Sequence, residues 1–182
     1  MSYKIYTSNI IKENHVSFVN QCKFAKKRIE ELLDVQDGTW DYDKYNLFCV
    51  TSMSVLFWNL YKELNVHIRN YIGDDRPLWL CSWLNFHSYE DAIKKLPYHS
   101  HQASYHGYIS IDPQDTVTEF KKGFKIKNKI GQIYLGPGGD ENVDYHHRVI
   151  NNSYYSKPRI TIGFNVGDIN DFISHPIFIP VL

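Results

Sequence analysis

From residue 78 to residue 166 the apolar residues stop recurring at helical spacing. They come instead in short runs, each closed by residues that turn the chain. Residues 79–86 are aromatic and β-prone on both alternating faces, the pattern of a strand covered on both sides. Further runs lie near 99–101, 108–111, 116–120, 124–126, 129–135, 148–150 and 160–166. Asp112-Pro113, Gly123, Gly136-Pro137-Gly138-Gly139, Asn151-Asn152 and Lys157-Pro158 separate them. A chain interrupted this often cannot build long helices, and roughly eight short strands at this spacing predict a barrel or sandwich.

Two segments ahead of these strands carry a helical period. Over 11–35, Val16, Val19, Cys22, Ile29, Leu32 and Leu33 recur at helical spacing. Lys26-Lys27-Arg28 and Glu30-Glu31 occupy the other face as a solvated charge run, and Asp37-Gly38 closes the segment. Over 52–72, Val55, Leu56, Trp58, Leu60, Tyr61, Leu64, Ile68 and Tyr71 are apolar on more than one side, which predicts packing against a sheet. Gly73-Asp74-Asp75 ends that helix. A short strand is expected at 3–6, and the apolar tail from 173 to 182, with Pro176 and Pro180, reads as an irregular strand or arm. The expectation is one α+β domain, mainly β: a helical buttress over 1–75, a β-barrel core over 76–170 and a C-terminal arm over 171–182.

Composition narrows the function. Lys+Arg and Asp+Glu number 20 each, so no basic excess marks a general nucleic-acid or membrane-surface binder. Cys22, Cys49 and Cys81 are scattered and odd in number, with no CxxC pair, so reduced thiols are expected and a disulfide framework or thiolate zinc site is not. No signal-peptide pattern and no apolar stretch of membrane-spanning length is seen, and the expectation is a soluble cytoplasmic protein. The apolar tail and first helix could support a homodimer.

The chemistry concentrates between Tyr98 and Asn165. His99 and His101 are separated by one residue, so on a strand both point to one face. Such a pair is also a common surface pattern in a chain with nine histidines. A third imidazole from His146-His147 reaches that face if the chain folds back between them, and Arg159 on the next strand brings a cation beside it. That is a three-ligand metal site with a clamp for an anionic co-ligand. The Gly136-Pro137-Gly138-Gly139-Asp140 run is followed by no helix-opening pattern or GK[ST], so it reads as a turn and not a phosphate loop. Ser104 with a histidine makes no recognisable nucleophile motif.

In order, His99-Ser100-His101, the strand Gly131-Gln132-Ile133-Tyr134-Leu135-Gly136-Pro137, His147-Arg148-Val149 and Arg159-Ile160-Thr161 resemble the double-stranded β-helix oxygenases that use Fe(II) and 2-oxoglutarate. Gly107-Tyr108-Ile109-Ser110-Ile111 is similar to the strand that follows the first motif in small members. The resemblance covers about 79–165 and implies a jelly-roll, cupin-like barrel hydroxylating an unassigned substrate, a small molecule, peptide or protein. It implies iron ligation by His99 and His147, with His101 as the third ligand or its place filled by water, His147 preferred over His146 for its H-x-V match, and His106 lining or packing. Arg159 would pair with the distal carboxylate of 2-oxoglutarate, Thr161 would add a hydrogen bond, and Asn165 and Asn85 are further contacts. Trp83, Tyr98, Tyr105 and Tyr108 are expected on the substrate side. His101 stands where the family usually has a carboxylate, a departure shared with three-histidine cupin dioxygenases that do not use 2-oxoglutarate. A non-catalytic β-barrel whose histidines pack in its interior is the third class.

Overall fold

The computed structural model describes residues 2–33, 42–93, 97–172 and 177–182. Five α-helices lie among them: α1 (Asn9–Glu13), α2 (His15–Leu33), α3 (Leu47–Val50), α4 (Val55–Ile72) and α5 (Tyr89–Ile93). The strands are β1 (Lys4–Thr7), β2 (Trp79–His87), β3 (Tyr105–Asp112), β4 (Thr116–Phe120), β5 (Lys125–Lys127), β6 (Gln132–Pro137), β7 (His147–Asn151), β8 (Arg159–Gly167) and β9 (Ile179–Pro180). They form a six-stranded sheet in the order β1-β6-β3-β8-β2-β9 and a three-stranded sheet in the order β5-β4-β7, all antiparallel. The α+β class holds.

The expected closed barrel does not form: the two sheets remain separate ladders. Each face of the large sheet is covered by different material. Ile160, Ile162, Phe164 and Val166 of β8, with Leu80 and Leu84 of β2, join Phe57, Leu60, Leu64 and Ile68 of α4 in one buried cluster. The opposite face carries Tyr108 and Tyr134, which meet Phe120 and Ile126 of the small sheet. β8 explains how one strand serves both sides. Its sequence Arg-Ile-Thr-Ile-Gly-Phe-Asn-Val alternates with period two, so apolar residues go to the helices and polar ones to the space between the sheets. Where β9 stops short along β2, Tyr45 and Asn46 satisfy the open edge: the Leu84 amide donates to Tyr45 Oη at 2.8 Å, and Asn46 Nδ2 donates to the Leu80 carbonyl at 2.8 Å.

Several expected boundaries move for local reasons. The first helical segment is split at Asn14, which caps α1, so the buried stripe of α2 is Phe18, Cys22, Ala25 and Ile29. Val16 and Leu32, placed on the inner face by the sequence reading, are 72% and 65% exposed. Ser54 caps α4 by accepting from the Phe57 amide, so that helix starts at Val55 and not at 52, and Val55 and Trp58 face solvent. Gly73 ends it in the left-handed conformation, φ 80°. The strand expected over 129–135 begins only at Gln132, because Gly131 turns with φ 74° and its carbonyl takes the Ser8 amide. Asp37-Gly38 and the start of the tail lie outside the described residues. Cys22, Cys49 and Cys81 are free thiols. Among the described residues no helix is long and apolar enough to cross a membrane.

Candidate metal centre and anion pocket

A cavity of about 610 Å³ lies between the sheets. Its lining comes from β2, β3 and β8 on one side and from β4, β7 and the 99–102 segment on the other, with Asp43 and Asp140 also contributing. On the large-sheet side the wall is built of cross-strand pairs: Trp83 opposite Gly163, Asn85 opposite Thr161, and His87 opposite Arg159. A Cβ at residue 163 would run into the Trp83 indole, so glycine there lets the ring lie across its strand partner.

The expected His99–His101 strand shrinks to one isolated bridge between His99 and His147. His101 lies beyond it in irregular chain, because its carbonyl is taken by the Gly139 amide at 2.6 Å and the Ser104 carbonyl by the Gly138 amide at 3.0 Å. The glycine turn therefore braces the second histidine. A Cβ at Gly138 would collide with the Ala103 carbonyl, so Gly138→Ala is expected to displace the His101 backbone. Isothermal titration with Co(II) should show affinity reduced by about tenfold, with the melting temperature falling by only a few degrees.

His99, His101 and His147 nevertheless converge. One nitrogen from each lies within 4.8 Å of the other two, a spacing a single metal ion could bridge. The ring centroids of His99 and His147 are 4.5 Å apart, and His101 is 5.4 Å from each. His101 also stacks on Trp83 at 5.7 Å. His99 Nδ1 lies 3.2 Å from the Pro97 carbonyl and His147 Nδ1 lies 3.3 Å from the Tyr145 carbonyl. A carbonyl only accepts, so Nδ1 carries the proton in both rings and Nε2 keeps its lone pair for a metal. Burial, followed by repulsion from neighbouring imidazoles, holds His101 and His147 well below the ordinary histidine range, and burial lowers His99. All three are neutral at pH 7, the form that ligates.

The neighbouring histidines part company. His146 is half-buried and its Nε2 lies 3.3 Å from the Asp140 carbonyl, outside the converging set. His106 is 2% exposed and stacks on His101 at 4.8 Å and on His147 at 5.0 Å. It packs the ligand rings from behind and is outside the converging set.

Arg159 enters the same cavity 4% exposed. Its Nη1 is 3.3 Å from His87 Nδ1, its Nε has no partner, and among the described residues no carboxylate pairs with it. Burial lowers its pKa from the usual value, with the nearby Tyr108 and Tyr155 hydroxyls opposing that. A guanidinium keeps its charge, so the pocket holds a desolvated cation open to an anion. Asn85 Nδ2 donates to Thr161 Oγ1 at 3.3 Å, and Asn165 lies beside His101. All seven residues singled out in the sequence line one cavity.

The aromatic expectation holds only in part. Trp83 and Tyr108 line the cavity, whereas Tyr98 bonds Glu119 outside it and Tyr105 bonds Arg76. The difference follows from alternation: Tyr98 and Tyr105 are each one residue out of phase with the inward His99 and His106. Ser104 bonds Asp171, and among the described residues it bonds no histidine. Reading by motif missed His87 and Thr118. His87 was reachable, two residues beyond Asn85 on the same strand face, but Thr118 carries no local signal. No protein-family model matches the chain, and no curated protein matches it.

Proposed function

We propose that this chain is an Fe(II)- and 2-oxoglutarate-dependent oxygenase, most simply a hydroxylase, on a double-stranded β-helix. The observation that carries the reading is one cavity holding three converging neutral imidazoles and a buried arginine with which, among the described residues, no carboxylate pairs. The strand order supports the fold: β2, β3, β6 and β8 belong to the large sheet, and the His99 bridge, β4 with β5, and β7 alternate with them in the small one. The residues fit both groups. His99, His101 and His147 would hold the metal, and Arg159, with Thr161 beside it, would hold the distal carboxylate of a short dicarboxylate. A ferrous ion there would supply the redox chemistry of the class, in which O2 gives one oxygen atom to 2-oxoglutarate, which loses CO2 to become succinate, and the other to a substrate C–H bond. The protein's own part is to keep three imidazoles unprotonated, orient the dicarboxylate through Arg159 and exclude water with the Trp83 and Tyr108 walls. The test is anaerobic Fe(II) titration with and without 2-oxoglutarate. A weak visible charge-transfer band, lost in His99→Ala, is expected; iron binding with no band would refute the use of 2-oxoglutarate.

One observation favours a second reading. The ligand set contains no carboxylate, as in three-histidine dioxygenases that act without 2-oxoglutarate. Arg159 would then hold a carboxylate of the substrate itself. Oxygen consumption by the iron-loaded protein with a candidate substrate and no 2-oxoglutarate would establish it.

A further inference from the structure

The segments carrying His99 and His147 meet over a single residue pair. The His99 amide donates to the His147 carbonyl and the His147 amide to the His99 carbonyl, both at 3.1 Å, and the bridge is isolated. So short a ladder specifies register weakly, and a slip of one residue would turn His99 away from the cavity. The residues next in sequence supply what the backbone lacks. Tyr98 donates its hydroxyl to Glu119 Oε2 at 2.8 Å. Arg148 reaches the same oxygen with Nε at 2.8 Å and Nη2 at 2.7 Å. The Arg148 guanidinium also lies 4.6 Å over the Tyr98 ring. Lys125 takes the other oxygen, Oε1, at 2.9 Å. Glu119 is the β4 partner of Arg148, as Phe120 is of His147. One carboxylate therefore ties β4, β7 and the His99 segment together from the face opposite the cavity.

We propose that Glu119 is a positioning residue for the metal centre, locking the His99 segment in register on β7 so that His99 and His147 converge; the inference rests on the three-histidine reading above. Tyr98 and Arg148 each flank a ligand by one residue, so an outward link at either fixes an inward imidazole. The links are charge-assisted, which gives one exposed-side carboxylate enough hold to order a segment without a ladder.

The test combines Co(II) titration with amide hydrogen exchange on the metal-free protein, in Glu119→Gln, Tyr98→Phe and Lys125→Met. Glu119→Gln keeps the shape and removes the charge; Tyr98→Phe cuts only the link to the His99 segment. Both are expected to weaken Co(II) binding by about tenfold and to speed exchange at the His99 and His147 amides by a similar factor, with β3 and β8 unchanged. Lys125→Met, which loses a Glu119 partner that touches neither ligand segment, should alter neither readout. Exchange at His99 and His147 unchanged in both Glu119→Gln and Tyr98→Phe overturns the lock. Wild-type protein that binds no Co(II) overturns the metal centre itself, and with it the role given to Glu119, so the two failures are read in separate measurements.

Discussion

Arg159→Met is expected to raise the melting temperature of the ligand-free protein while abolishing its response to 2-oxoglutarate. The guanidinium is buried, its Nη1 lies 3.3 Å from His87 Nδ1, and among the described residues no carboxylate pairs with it to offset its desolvation. Methionine matches the stem and carries no charge, so the substitution should stabilise the empty fold by about 1–3 kcal/mol. For a domain of this size that is a rise of several degrees, at roughly 2–4 °C per kcal/mol. The ligand response runs the other way. Wild-type protein at a 2-oxoglutarate concentration about a hundred times Kd gains about 2.7 kcal/mol by mass action, and the variant should gain nothing. Melting curves with and without 2-oxoglutarate, in the presence of Mn(II), should therefore cross over between the two proteins. A variant less stable than wild type without ligand and equally responsive to it would make Arg159 a packing residue.

His147→Ala is the second large effect. His147 is the buried member of the set, its Nδ1 is anchored on the Tyr145 carbonyl, and its ring contacts both other ligands. Its loss should lower Co(II) affinity by more than about 100-fold, beyond the range for losing an outer partner. It should also change the acid response of the metal-free fold. His106 and His147 have folded-state pKa values held well below 6.5, so well above pH 6.5 they are neutral both folded and unfolded and add no pH dependence to stability. Below 6.5 the unfolded chain takes up protons first, and stability falls as pH drops toward the folded-state values. The slope is about 1.4 kcal/mol per pH unit for each imidazole kept neutral. Urea unfolding at about pH 7.5 and about pH 5.5 should show a smaller acid loss in His147→Ala, by up to one imidazole's share. Identical acid losses would mean that His147 titrates freely in the fold.

Much of the chemistry was legible because it is local. The alternation in Arg159-Ile160-Thr161-Ile162 assigns Arg159 and Thr161 to one face of a strand whichever protein it belongs to, and both line the cavity. The strand at 116–120 was read with its observed bounds, since Pro113 before it and Gly123 after it mark its ends. Other features were not local. Val16 and Leu32 fit a helical period over 11–35, but the break at Asn14 resets the phase, and the face that turns inward is chosen by what the sheet offers. The barrel failed as an expectation for a similar reason: strand number and turn spacing do not say whether two ladders join at their edges.

The sequence alone determined which residue types share a strand face, because side-chain direction alternates with a period that no distant contact can change. It thereby put Arg159, Thr161 and Asn165 on one strand face, and Asn85 on the same face as Trp83. Tertiary structure decided the rest: that His101 joins the cluster from an irregular segment braced by the Gly138-Gly139 turn, that His106 packs behind the cluster while His146 turns to the Asp140 carbonyl, and that Glu119 gathers Tyr98 and Arg148. Those outcomes depend on register between segments far apart in the chain, which is set by the summed contacts of two sheets and has no signature in any one of them.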